Sequence, residues 1–411
     1  MNILLINHYA GSPALGMEFR PYYLAREWVR RGHRVVVVGA SFSHLRRNQP
    51  FCPGREAREE VDGIEYRWLA TPPYRGNGLG RVRNIASFVL RLATRASRLA
   101  REVAPQAVVA SSTYPLDILP ACRIARAAGA RLVFEVHDLW PLSPRILGGF
   151  PRWHPFIVTM QVAEDLAYRW ADAVVSLLPA ARPHMVARGM RPEKFVHIPN
   201  GVAPEEWEAP EPLPAQHGAT LAQLRGQGKF LLGYAGAHGL ANSLETVVEA
   251  ARLAGESAHW VLVGEGPEKS KLEDLARARG VRNATFLPPV PKRSVPRLLR
   301  QFDVLTLAWR RSPLYAFGIS PNKLLDYMMA GKPIIHAVEA ANDPVAEAGC
   351  GVTVPPEDPQ ALAEAARCLV AMDEGERRAM GERGRNYVLA HHRYENLAAD
   401  FEAVLRGQAP A

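Results

Sequence analysis

Short apolar runs recur along the chain, each followed by a polar or glycine-bearing turn and then by a stretch with helical spacing. The first run, residues 3–7, ends at the polar loop 8–16. A helical pattern follows over about 19–31, closed by Gly32, and 34–38 then reads as a buried strand. Strand, glycine loop, helix, strand is the opening of a doubly wound α/β domain. Further strands are predicted at 64–69, 107–110, 131–136, 173–177 and 195–201, with helices between them. These runs are continuously apolar, the mark of parallel strands covered on both faces.

Between 202 and 228 the composition turns to Pro, Glu, Ala, Gln and Gly, and a linker is expected over 201–228. A second α/β series begins at Phe230. Strands are predicted at 230–236, 260–264, 284–287, 304–307, 334–335 and 351–354, with helices at 243–253, 267–279 and near 295–301. The pattern predicts α/β architecture with two tandem Rossmann-like domains, 1–200 and 229–385, each with a mostly parallel sheet. A final helical stretch, 386–411, is long enough to cross back to the first domain.

Composition narrows the class. The 411 residues are 48% hydrophobic and 22% charged, with no apolar run near the roughly eighteen residues of a membrane span. The chain opens on a strand (MNILLIN) rather than a signal peptide, and Cys52, Cys122, Cys350 and Cys368 are scattered with neither CxxC nor metal spacing. A reduced, cytoplasmic compartment fits. The net charge of +9 is uneven: residues 1–200 hold 27 Lys+Arg against 15 Asp+Glu, the remainder 23 against 26. All but one of the N-terminal cations are arginine, which points to an anionic partner such as a membrane surface or a pyrophosphate-linked substrate. No nucleic-acid module is recognisable, and nucleic acid is not expected as a partner. Residues 81–101 place Arg91, Arg95 and Arg98 on one helical arc and Ile85, Phe88, Val89 and Leu92 on another, the pattern of a basic interfacial helix. A half-buried domain helix with a solvated arginine face gives the same pattern. Residues 142–156, with Ile146, Leu147, Phe150, Trp153 and Phe156, read as a hydrophobic lid or a lipid-facing loop. Both segments are candidates for peripheral contact with the inner face of a membrane.

The candidate chemistry concentrates in YAFGISPNKLLDYMMAGKPII, residues 315–335. Ser320 suits an N-cap and Pro321 the first helical position. Leu324, Leu325, Met328 and Met329 form an apolar face, while Asn322, Lys323 and Asp326 share another. A helix N-terminus with a lysine in its first turn suits a diphosphate, and a carboxylate one turn on suits ribose hydroxyls. In EVHDLWP, His137 and Asp138 follow a strand, where ligands bind in open parallel sheets. Gly264-Glu265-Gly266 after another strand is a base or ribose contact, or a plain strand-to-helix turn. The loop with Gly11 and Gly16 lacks the G-x-G-x-x-G of dinucleotide sites and reads as a flexible wall at the strand ends.

These pieces resemble the GT-B glycosyltransferases, and most of all retaining family 4, near the bacterial fucosamine-transferase type of surface-polysaccharide assembly. The resemblance rests on NILLINHY, EVHDLWP, AEDLAYRWADAVVSLLP, HIPNGV, LLGYAGAHGLANSLETVVEA, VLVGEGPEKSKLEDLA and SPNKLLDYMMAGKPII, in the family's order. It implies two Rossmann-like domains facing across a cleft, with the nucleotide-sugar donor held by the second and the acceptor by the first. It implies retention, no cofactor, and no metal to hold the diphosphate. His137 matches the family's cleft histidine, and Asp326 matches the second acid of its E-x7-E element. The first acid falls on Gly318, and the family's arginine and lysine after the first strand of the second domain fall on Ala237 and Asn242. Lys323 becomes the replacement cation, assisted by His238 and the backbone near Gly236 and Gly239.

The expected activity is transfer of a hexose-type sugar from a UDP-like donor to a lipid-linked (polyprenyl-pyrophosphate) or other saccharide acceptor. His137 and Lys323 are the expected catalytic pair. Gly236, His238, Gly239, Gly264, Glu265, Gly318, Ile319, Ser320, Pro321, Asn322 and Asp326 form the donor side. Gly11, Gly16, Glu18, Arg20 and Asp138 form the acceptor side. A non-hydrolysing nucleotide-sugar epimerase, or a catalytically silent nucleotide-sugar binder, would share the architecture.

Overall fold

The computed structural model describes residues 1–16, 19–76 and 78–409, which divide into two α/β units. One comprises Met1–Asn200 with Tyr394–Ala411, the other Gly201–Arg393.

The first unit is built on β1 (Asn2–Ile6), β2 (Arg34–Ala40), β3 (Glu56–Val61), β4 (Ile64–Leu69), β5 (Ala107–Ala110), β6 (Arg131–Val136), β7 (Ala173–Ser176) and β8 (Phe195–His197). They form one sheet in the order β3-β4-β2-β1-β5-β6-β7-β8, parallel except for the antiparallel edge strand β3. The order reverses between β1 and β5, and the crevice beyond such a reversal is where open α/β sheets take ligands. Ile6 pairs with Ala110, and Ala110 with Phe134. One residue further on, this register brings Asn7, Ser111 and Glu135 side by side.

The second unit is built on β9 (Leu231–Ala235), β10 (His259–Val263), β11 (Ala284–Leu287), β12 (Val304–Ala308), β13 (Ile334–Ala337) and β14 (Gly351–Val354). Its all-parallel sheet runs β11-β10-β9-β12-β13-β14, and here the reversal lies between β9 and β12. Leu232, Val261, Leu305 and Ile335 are fully buried, as expected of strands sandwiched between helices.

Three readings of the pattern need correction. The stretch 201–228 is not a linker: it holds a 3-10 turn, Pro204–Trp207, and a helix, Ala215–Gly226. Trp207, Leu221 and Leu224 enter the second unit's core, and His217 Nε2 pairs with the Pro288 carbonyl at 2.8 Å. So few apolar residues on the helix left no periodicity to read. The edge strand β3, EAREEV, carries too many charges to look like a strand.

Third, two of the three arginines read as a basic stripe on the Leu79–Val103 helix, Arg95 and Arg98, are ion-paired within the unit. Arg95 Nε lies 3.3 Å from Glu56 on β3, and Arg98 Nε 2.6 Å from Glu102. Those carboxylates offset part of the stripe's charge within the unit.

The chain leaves the second unit after the Glu374–His391 helix, and the Tyr394–Arg406 helix belongs to the first. Trp28, buried on the Phe19–Arg30 helix, donates its indole N–H to the Ala398 carbonyl (3.0 Å) and meets Phe401 edge-on. Arg31 and His33 both pair with Glu402. Among the described residues no helix is long and apolar enough to cross a membrane.

Candidate active site

At the switch point of the first unit a buried carboxylate organises the polar groups. Glu135, fully buried near the end of β6, accepts from Arg20 Nε at 2.9 Å and from the Ser111 hydroxyl at 2.5 Å. Arg20 spends its remaining donors on the carbonyls of Ile198 (3.0 Å) and Pro199. Burial alone would push the Glu135 carboxyl up, but Arg20 and His137 outweigh it and hold the group down to about 2. His137 Nε2 lies 3.0 Å from Ser111 Oγ and 3.3 Å from Glu135 Oε2. The serine's single proton goes to Glu135, so Nε2 must carry the imidazole proton in this network. Nδ1 is then the basic nitrogen whenever the ring is neutral. The Asn7 side chain completes the row by donating to the Ser111 carbonyl at 2.7 Å.

In the second unit the turn after β9 meets the Asn322–Met329 helix. Lys323, in that helix's first turn, donates to Tyr234 Oη at 2.7 Å and to Asn242 Oδ1 at 3.0 Å, with Nζ 4.5 Å from the Tyr234 ring centre. Burial lowers its ammonium to about 7. A Cβ on Gly236 would stand 2.5 Å from Lys323 Cε, so only glycine leaves the lysine this seat. Tyr234 and Asn242 both donate to the Ala237 carbonyl, tying the lysine's partners to the same turn.

The turn after β10 crosses closely over this one. A Cβ on Gly264 would lie 1.9 Å from the Gly236 carbonyl oxygen, and one on Gly266 would lie 2.4 Å from that of His238. Both glycines have φ near +155°. The G-E-G spacing is therefore set by backbone approach.

Family models match both halves of the chain. A glycosyl transferase 4-like domain covers residues 16–201, and a glycosyl transferases group 1 domain covers 229–372. The chain belongs to the family 4 glycosyltransferases of GT-B fold. WcaI of Escherichia coli K12, assigned as a colanic acid biosynthesis glycosyl transferase, is 25% identical over 352 residues, 82% of this chain and 84% of its own. The alpha-D-kanosaminyltransferase of Streptomyces kanamyceticus is 27% identical over 256 residues, 60% of this chain and 63% of its own. Among solved structures, Anabaena Alr3699/HepE in complex with UDP and glucose superposes with a TM-score of 0.70 at 18% identity, covering 99% of both chains. WaaG, a glycosyltransferase of lipopolysaccharide biosynthesis, does so with 0.65 at 18%, covering 98% of this chain and 100% of its own.

Several residues of this glycosyltransferase stand elsewhere than their sequence roles implied. Arg20 is only 2% exposed and braces Glu135, so it makes no acceptor wall. Gly11 is buried, with its carbonyl taken by Tyr66, and Gly16 closes a turn onto Ser12, so this loop is pinned rather than loose. Glu18 lies outside the described residues. Asp138 stands exposed at the end of β6, beside His137. Burial, with Lys269 nearby, pushes the His238 imidazole down to about 4, so it supplies no positive charge at neutral pH. The N–H groups of Gly236 and His238 are engaged by Val263 and Glu265, so neither is left for a phosphate. Glu265 pairs with Lys269 at 3.2 Å.

Ser320 is not the N-cap, because the helix begins at Asn322 with Pro321 in the capping position. Asp326 is half-buried on this helix, its carboxyl raised by burial, with Lys292 opposing and Glu206 adding. Gly239 opens the short turn Leu240–Asn242, and Ile319 is buried next to Gly318. The sequence reading missed Ser111, Tyr234 and Asn242 as site residues, and Glu135 too. Glu135 had a visible signal, a lone carboxylate inside the apolar run RLVFEV.

The first unit's network generates a pH prediction. A carboxyl whose folded pKa is depressed contributes stability that is present above its unfolded value and lost as pH falls through the folded one. Glu135→Gln strands the buried Arg20 charge, so urea unfolding at pH 7 should show a loss of about 3–5 kcal/mol. The gap to the native protein should narrow between about 4.5 and about 2, as Glu135 itself protonates. A gap independent of pH over that range would contradict this account.

Proposed function

We propose that this glycosyltransferase moves a hexose or N-acetylhexosamine, with retention and without a metal ion, from a uridine-diphosphate donor to a saccharide acceptor. The proposed acceptor is carried on a polyprenyl pyrophosphate in cell-surface polysaccharide synthesis, at the cytoplasmic face of a membrane. The observation that carries the donor half is the seat of Lys323. An ammonium in the first helical turn, next to the turn after β9, supplies positive charge where a diphosphate leaves. The relatives support the chemistry by kind: HepE is described with UDP and glucose, WcaI with colanic acid, and WaaG with lipopolysaccharide.

In the proposed reaction the bond between the sugar's anomeric carbon and the β-phosphate oxygen breaks, and a bond to the acceptor oxygen forms on the same face. The acceptor's proton passes to the departing phosphate. Lys323 neutralises the charge that develops there, and His137, oriented by Ser111 and Glu135, positions the sugar. Asp326 and the helix start at Asn322 receive the ribose and phosphates. One observation favours binding without turnover: Gly318 has φ +101°, where a carboxylate-bearing residue would be strained.

A second surface supports the membrane-side acceptor. Leu147, Trp153 and Val162 are more than half exposed, with Ile146, Phe150 and Val158 close behind. From 139 through 163 the chain has no acidic residue, and Arg152 stacks on Trp153 at 3.6 Å. Exposed apolar side chains accompanied along the segment by Arg145 and Arg152 suit an anionic bilayer surface.

Two experiments test the proposal. Purified protein offered UDP-sugars and a polyprenyl-pyrophosphate saccharide should release UDP only when the acceptor is present. Lys323→Ala and His137→Ala should each lower that rate by about a hundredfold or more. Full activity in both variants would sink the assignment, and UDP-dependent binding with no turnover on any acceptor would favour the silent binder. In flotation assays the protein should travel with phosphatidylglycerol vesicles and not with phosphatidylcholine. Leu147→Glu with Trp153→Glu should abolish this, and unchanged flotation of the double variant would remove the membrane contact.

A further inference from the structure

The segment between β12 and the Asn322–Met329 helix has little structure of its own. It comprises a 3-10 turn, Pro313–Phe317, followed by an extended stretch through Gly318, Ile319 and Ser320. Within it, Ser312 caps the Leu314 N–H (3.3 Å) and the Gly318 N–H returns to the Tyr315 carbonyl (3.0 Å). Further fastenings come from the loop after β13. The Ala341 N–H donates to the Tyr315 carbonyl at 2.9 Å. The Asn342 carboxamide grips both backbone groups of Ile319, accepting from its N–H at 2.7 Å and donating to its carbonyl at 3.0 Å.

The residue after Asn342 makes this grip rigid. Asp343 Oδ1 accepts from His336 Nδ1 at 2.7 Å and from the Val345 N–H at 3.1 Å, and Oδ2 accepts from the Thr353 hydroxyl. Trp309 donates its indole N–H to His336 Nε2 at 3.0 Å, which fixes the imidazole proton on Nδ1. The same tryptophan meets Tyr315 edge-on, with ring centres 5.6 Å apart. The chain Trp309–His336–Asp343 thus ties the ends of β12 and β13 to the first turn of the Pro344–Ala348 helix. Asn342 projects from that anchored point.

We propose that Asn342 is a positioning residue for the donor sugar. Its carboxamide sets the Gly318–Ile319 backbone as the wall against which the sugar lies, at the place where the glycine carries no side chain to do so. This rests on the reading of the second unit as the donor side. Asparagine is suited to the task because one planar group of the right reach offers a donor and an acceptor together. Aspartate keeps the acceptor and loses the donor, and alanine loses both.

The test separates sugar from nucleotide. For Asn342→Ala, kcat/KM for the nucleotide sugar should fall at least about tenfold, the scale of one or two buried hydrogen bonds. UDP affinity measured by calorimetry should stay within about threefold, because the diphosphate is read by Lys323 and the helix start. Asn342→Asp, nearly the same in shape, should fall between the two. Discrimination between UDP-glucose and UDP-N-acetylglucosamine should relax in both variants. Unchanged kcat/KM and discrimination would overturn the proposal. So would parallel losses of UDP affinity and melting temperature, which would mark Asn342 as merely structural. A native protein that binds UDP-sugars no better than it binds free sugars would instead defeat the donor reading beneath the proposal.

Discussion

The second unit is arranged around one half-buried cation. Lys323 reaches back from its helix to the turn after β9 and is held by Tyr234 and Asn242 against the bare Cα of Gly236. Few side chains cost more to bury than a lysine, and its depressed pKa, about 7, records that cost. Among the described residues its hydrogen-bond partners are a phenol and an amide, and no carboxylate hydrogen-bonds it. A cation held this way has electrostatic capacity in reserve for an anion. The surrounding backbone follows from the same arrangement. A Cβ on Gly236 would push the end of the lysine out of this seat, and Gly264 and Gly266 must be glycine for the neighbouring turn to cross over it.

The first unit shows the opposite sign of the same device. Its buried charge is Glu135, and it is fully compensated by Arg20, Ser111 and His137. Full compensation makes a fixed scaffold rather than a receptor. It orients His137 and sets which nitrogen bears the proton, while Arg20 also fastens the chain at 198–199. One unit thus holds an ammonium with unspent charge, and the other holds an imidazole in a defined tautomer. In the proposed reaction these would supply charge stabilisation at the leaving group and placement at the reacting carbon.

How much of this was legible follows from where each signal resides. Parallel strands buried on both faces write themselves as apolar runs, so RVVVVGA and HWVLV were readable, and with them the α/β alternation. Lys323 and Asp326 were readable because helix spacing puts them on one face. What could not be read was pairing across distance. Arg95 finds Glu56, thirty-nine positions earlier on a strand that looks like a charge run, and part of a membrane-like stripe becomes an ion-pair network. Arg20 finds Glu135 across 115 positions and turns from a ligand candidate into a brace. Asn342 lies in a loop that no motif marks, and its importance appears only when the Ile319 backbone is seen between its amide atoms. The roles expected of His238 and the Gly236 amide failed for a related reason: burial and the crossing turn had already claimed those groups.

The central claim is that Lys323 is the ammonium that meets the donor's diphosphate. At pH 8 a lysine with a pKa of about 7 is mostly neutral, and a bound diphosphate must raise that pKa. Titration calorimetry with UDP at pH 8, in buffers of differing ionisation enthalpy, reads the linked proton directly. The account predicts uptake of close to one proton per UDP bound, with the uptake lost and the affinity lowered in Lys323→Met. Binding without proton uptake, or equal affinity in the variant, would contradict it.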